Sequence, residues 1–188
     1  MFQIRFHGRG GQGVVTAAEL CAAAAFDGGH ETLAFPSFGS ERTGAPVTAF
    51  CRVDDRPILT REPVVRPDLV VVQDATLLHH VAVFSGLADG GTVVINTGRP
   101  LGDLGLDELA GTHRVECVPA TELARRHTGR PVPNACLLGA LAAVADVVAM
   151  PALEQAIGER FPGAVAAGNI AACRAAYELV RREAVLGA

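Results

Sequence analysis

A glycine-dense turn, His7-Gly8-Arg9-Gly10-Gly11-Gln12-Gly13, separates a short apolar run at residues 2–6 from an alanine-rich stretch at residues 14–26. That order predicts a strand, a tight turn and a helix. Gly8, Gly10 and Gly13 fall in G-x-G-x-x-G spacing, in which glycine reaches positive φ cheaply and lets backbone N–H groups approach an anion. The start of the following helix adds unpaired N–H groups and partial positive charge. A dinucleotide site also needs an acidic residue about 20 positions on, at the end of the second strand. Here the second strand is expected over 31–35, with its only acid, Glu31, at the beginning and Ala34-Phe35-Pro36 at the end. A nicotinamide dinucleotide is thereby disfavoured. The turn reads either as an anion site or as a β–α turn that only packs a helix on a sheet.

The 188 residues suffice for one domain with a sizeable core, and 49% hydrophobic against 19% charged residues excludes a disordered chain. No apolar run reaches the roughly 18 residues of a membrane span, and the N-terminus runs directly into the strand without a basic-then-apolar leader. A net charge of -4 argues against nucleic acid as the main partner. A cytoplasmic protein with no membrane partner is expected. All 16 basic residues are arginine, which removes a Walker lysine, a pyridoxal Schiff base and a lysine nucleophile. Cys21, Cys51, Cys117, Cys136 and Cys173 are scattered, with no C-x-x-C pair, so no metal or cluster ligand is assigned and buried small residues are expected. The adjacent His79 and His80 point about 100° apart on a helix and make a poor metal site. No nucleophile–base arrangement stands out, and no catalytic residue is assigned.

Further along, Asp27-Gly28-Gly29 is a helix stop. The second strand runs into Pro36-Ser37-Phe38-Gly39-Ser40-Glu41-Arg42-Thr43-Gly44, a long polar loop of the kind that binds ligands or partners at the carboxyl ends of strands. Residues 47–53 alternate like a half-buried strand and are expected to form a hairpin with residues 57–59. Residues 69–74 suit a central parallel strand ending at Asp74, which sits where sites are built or caps the next helix. A helix over 77–87 and strands over 92–96 and 114–118 continue the alternation. Helices are then expected over 122–127, 134–148, 152–160 and 168–183. The pattern predicts an α/β fold: a mostly parallel, doubly wound sheet with a β-hairpin extension and a helical C-terminal part, in one domain over 1–188.

The turn from Gly8 to Val14 with Ala17-Ala18 behind it, and the loop from Pro36 to Gly44, resemble the gamma subunit of 2-oxoacid:acceptor oxidoreductases. So do the hairpin region, Pro67-Asp68-Leu69-Val70-Val71, Asn134 with Leu138-Gly139-Ala140, Glu159-Arg160-Phe161 and Asn169. The second loop departs from the family's P-S-Y-G-P-E-x-R-G-G: Ser40 replaces the proline, and Arg42 sits one place early with Thr43 in the arginine's position. The resemblance implies a Rossmann-like accessory domain in a complex that oxidatively decarboxylates a 2-oxoacid to acyl-CoA and passes two electrons to ferredoxin or a related acceptor. It implies thiamine diphosphate with Mg2+ on alpha and beta subunits and iron–sulfur clusters on beta, delta or fused domains. The magnesium-binding G-D-G signature of the thiamine site is missing here.

Coenzyme A is the ligand the resemblance associates with this domain. The candidate coenzyme A, anion or subunit-contact residues are Gly8, Arg9, Gly10, Gly11, Gln12, Gly13, Ser40 and Arg42, with Arg9 or Arg42 supplying bidentate charge. A stand-alone CoA- or nucleotide-binding regulatory module is the competing expectation. A mean hydropathy of +0.30 fits a subunit that covers an apolar surface with a partner, and fits an alanine-rich core equally.

Overall fold

The structure, a computed structural model, describes residues 1–37 and 43–186. Among them six strands form one sheet: β1 (Phe2–Arg9), β2 (Glu31–Pro36), β3 (Pro46–Asp54), β4 (Leu69–Val72), β5 (Thr92–Asn96) and β6 (Arg114–Val118). Their order is β2-β3-β1-β4-β5-β6. β1, β4, β5 and β6 run parallel, and only β3 is reversed, antiparallel to both β1 and β2. The helices are α1 (Val14–Asp27), α2 (Asp107–Ala110), α3 (Ala120–Thr128), α4 (Asn134–Val144), α5 (Met150–Arg160) and α6 (Gly163–Leu186). This is the expected α/β architecture with a helical C-terminal part.

Alternation in the strands divides the core between two faces. Ile4 and Phe6 of β1, Ala49, Cys51 and Val53 of β3, and Leu69 and Val71 of β4 meet α1, α4, α5 and α6 in the larger cluster. Val70, Val72, Val93 and Ile95 point the other way and are closed over by Leu77 and Val83. Each fully buried large side chain contributes about 1.5–3 kcal/mol by leaving water. α1 forms because alanine dominates it, and it ends where Gly28 and His30 donate back to the carbonyls of Ala24 and Ala25. α4 is apolar all round because it is sandwiched: its residues 134–141 are all buried. At Gly139 an added Cβ would collide with the Cys173 carbonyl oxygen, so α4 and α6 cross backbone against side-chain-free backbone.

Several expected elements come out differently. β1 continues three residues into the predicted turn, to Arg9, because β3 pairs along its whole length, from Phe2 opposite Val53 to Arg9 opposite Pro46. The hairpin is made by β2 and β3, and residues 57–59 are not a strand. They belong to a coil over 55–68 that lies across the second face of β1 and β3. Buried Arg52 donates to the carbonyls of Thr60 and Glu62, and buried Arg5 donates to that of Val64, so arginine side chains rather than a neighbouring strand hold these three carbonyls of the coil. The helix expected over 77–87 is a single 3-10 turn, Ala75–His79, followed by bends. Leu77 and Val83 are both buried against the sheet yet would stand about 120° apart on an α-helix. α4 stops at Val144 because Ala145 is extended, α6 starts at Gly163, and the short α2 was not anticipated.

Candidate functional site

The crevice lies where the sheet changes direction of growth. After β1 the chain crosses to β2 on one side, and after β4 it moves to β5 on the other. The carboxyl ends of β1 and β4 therefore flank a switch point, the place where open α/β sheets hold ligands. The glycine turn leaves β1 here, and Gln73-Asp74 leaves β4.

Within the turn, glycine is required at three places, one of them Gly11 with φ 93°. Gly13, the N-cap of α1, has φ 71° and stands so close to the Asn134 amide that a Cβ would strike it. At Gly8 a Cβ would lie 2.6 Å from Val14 Cγ2 and 3.2 Å from Gln73 Cβ, so a side chain would push α1 off the sheet. Gly10 is tied to the base of the second loop: its N–H donates to Ala45 O at 2.9 Å, and its carbonyl accepts from Gly44 N at 3.1 Å. The two loops singled out in the sequence are thus brought together. Ser40 and Arg42 lie outside the described residues. The N–H groups of Gly11 and Gly13 make no hydrogen bond among the described residues, and the first N–H groups of α1 follow them.

Arg9 and Gln12 face the protein. Arg9 Nε donates to Asp74 Oδ2 at 3.1 Å, Nη1 to Gly44 O at 3.1 Å and Nη2 to Thr76 Oγ1 at 2.8 Å. Gln12 accepts from the Arg9 N–H at 2.7 Å through Oε1 and donates to Asp74 Oδ2 at 3.0 Å through Nε2. Burial works to raise the Asp74 carboxyl. Hydrogen bonds from the Thr76 hydroxyl, Gln12 and the Thr76 N–H, with the Arg9 charge, outweigh it and hold the group below the usual carboxylate range. Asp74 also caps the 3-10 turn through Thr76 N, which is the capping role weighed for it. Behind the turn, Gln73 is fully buried and neither atom of its amide is hydrogen-bonded among the described residues, at a cost of about 1–3 kcal/mol.

His7 points away from this crevice, onto the second face. Its Nε2 accepts from Arg5 Nε at 3.0 Å, and Thr48 Oγ1 stands 3.4 Å from Nδ1. Arginine can only donate, so the proton of the neutral ring sits on Nδ1. Burial, reinforced by the Arg5 charge, lowers its pKa to about 4.

Beside the turn opens a cleft of about 530 Å³, lined among others by Thr16, His127, Arg130, Asn134, Val165 and Asn169. Thr16 lies in the first turn of α1, Asn134 opens α4, and Val165 lies in the first turn of α6, so three helices begin on one cavity. The Arg130 side chain makes no hydrogen bond or ion pair among the described residues. Such a wall can take a phosphate. Sequence reasoning did not assign these residues to a site, Asn134 and Asn169 entering only through the family resemblance, because their signal is position near helix ends brought together by the fold. Among the described residues no three His, Cys, Asp or Glu side chains gather as metal ligands. Cys21, Cys51, Cys136 and Cys173 are buried in the core, and burial pushes the Cys136 thiol up to about 12. This donor set does not fit an iron–sulfur cluster.

Sheet order, switch point and glycine turn define an α/β protein with a mostly parallel, doubly wound sheet. More narrowly, the chain belongs to the pyruvate ferredoxin/flavodoxin oxidoreductase family, whose pattern matches residues 3–179. It is 48% identical to pyruvate synthase subunit PorC of Methanothermobacter thermautotrophicus, over 97% of either chain. It is 45% identical to the pyruvate/ketoisovalerate oxidoreductases common subunit gamma of Thermococcus kodakarensis, over 94% of this chain and 96% of that one. The crystal structure of pyruvate oxidoreductase subunit PORC from Thermotoga maritima superposes with a TM-score of 0.83 at 38% identity, covering 94% of this chain and 95% of that one.

Proposed function

We propose that this chain is one gamma-type domain acting as the gamma subunit of a cytoplasmic 2-oxoacid:acceptor oxidoreductase, and that it presents the glycine turn to coenzyme A at the junction with its partners. The observation that carries the reading is continuity. Gly13, whose N–H is unengaged like that of Gly11, packs against Asn134, which lines the cleft containing Arg130. Backbone N–H groups in a left-handed turn suit a diphosphate, and an arginine in the neighbouring cleft adds charge. No helix of the described residues is long and apolar enough to cross a membrane.

The alpha and beta subunits hold thiamine diphosphate with Mg2+, and iron–sulfur clusters on beta, delta or fused domains lead electrons to ferredoxin. Thiamine diphosphate supplies the carbon–carbon bond cleavage. This chain's residues bind and orient the acyl acceptor. Replacing Arg130 with alanine in the assembled enzyme is expected to raise the KM for coenzyme A about ten- to a hundredfold, the worth of one charge-assisted contact, with little change in kcat. A KM equal to that of the wild type would remove the cleft from the coenzyme A path.

A further inference from the structure

The Asp74 carboxylate gathers four donors: Arg9 Nε and Gln12 Nε2 on Oδ2, and the Thr76 N–H at 3.0 Å with the Thr76 hydroxyl at 2.6 Å on Oδ1. Arg9 and Gln12 bracket Gly10 and Gly11 in the chain, and Gln12 Oε1 also closes on the Arg9 N–H. The two ends of the turn therefore hang on one carboxylate delivered by a different strand, β4. Gly11 at φ 93° and Gly13 at φ 71° hold conformations that other residues rarely adopt. The backbone closes the turn through the Gln12 N–H on the Arg9 carbonyl at 3.0 Å and the Ala17 N–H on the Gly13 carbonyl at 2.9 Å, and the Asp74 anchor adds the side-chain hold at both Arg9 and Gln12. Arg9 carries the same hold to the second loop, through Nη1 on the Gly44 carbonyl. Its charge is matched by Asp74 at 3.1 Å, which makes Arg9 a strut of the crevice.

We infer that Asp74 is the positioning residue of the glycine turn: its carboxylate, through Arg9 and Gln12, sets the direction of the Gly11 and Gly13 N–H groups toward the ligand. The inference rests on the coenzyme A reading above for the identity of that ligand.

The test compares the assembled enzyme carrying wild-type, Asp74→Asn or Asp74→Glu chains, by amide hydrogen exchange over residues 8–16 and by coenzyme A kinetics. Asparagine keeps the shape but loses the charge and one acceptor oxygen, so in either orientation an NH2 group faces donors that the carboxylate accepts from. Exchange in the turn is expected to rise about tenfold, and the KM for coenzyme A about tenfold, with kcat at saturating coenzyme A within about twofold of wild type. Glutamate restores the charge and is expected to hold that KM within about threefold of wild type. Wild-type exchange and KM in Asp74→Asn would overturn the assignment, as would equal damage from both substitutions. Raised exchange with an unmoved KM would uphold the hold of Asp74 on the turn and overturn the coenzyme A reading instead. Should Asp74→Asn fail to assemble, Gln12→Met removes one arm to Asp74 together with the acceptor of the Arg9 N–H, and leaves the Arg9 arm in place. It is expected to shift exchange and KM in the same direction by a smaller factor, and no shift would overturn the assignment.

Discussion

Single side chains in this protein carry consequences far from the crevice. His7 sits in the first strand, accepts a bond from Arg5 and is 6% exposed. Its folded pKa of about 4 lies below the unfolded value of roughly 6.5. The native state then binds fewer protons than the unfolded one between those values, so stability rises with pH across that window. The contribution is fully present above about pH 6.5 and is lost as pH falls toward 4, amounting to about 3 kcal/mol. Urea unfolding at pH 7.5, 6, 5 and 4.5 should show this loss, and His7→Gln, which keeps an acceptor for Arg5 but no titrating proton, should flatten the slope. An unchanged slope in that variant would assign the acid sensitivity elsewhere. The sequence placed His7 at the mouth of the turn. Only the extension of β1 to Arg9, set by pairing with a distant strand, turns it to the second face.

At the scale of elements, legibility followed the reach of the interactions involved. β5 and β6 match their expected bounds, and α1 was in error by one residue, because composition and flanking glycines decide them locally. The coil over 55–68 and the bends after Ala75–His79 were misread because buried arginines and a sheet surface hold them, and neither leaves a periodic trace. The turn and the loop base were recognised separately, while their union through Gly10, Gly44 and Ala45 is a tertiary fact. Gly139 is another. In the sequence it is one residue of a helical run, and in the fold it is where α4 touches the Cys173 carbonyl of α6. Gly139→Ala must separate the two helices and is expected to cost about 1–3 kcal/mol, the range for overpacked cores, despite alanine's better helix propensity. Thermal unfolding of the purified chain measures it, and a rise in Tm would show that the crossing is looser than described.

For the whole molecule, one feature ties fold to role. The switch point between β1 and β4 gathers the glycine turn, the Asp74 anchor and a cleft on which three helices begin. The same chain gathers no set of metal ligands among its described residues. The proposed role, a subunit that orients an acyl acceptor for chemistry held by its neighbours, places that acceptor at the switch point. The chain purified through a tag from its native host, with thiamine, iron and coenzyme A-dependent 2-oxoacid oxidation assayed in the eluate, tests that account most directly. Recovery with partner subunits, thiamine and iron, and activity that requires coenzyme A, is the predicted result. Recovery of the chain alone, without thiamine or iron, would contradict it and leave a free-standing ligand-binding module.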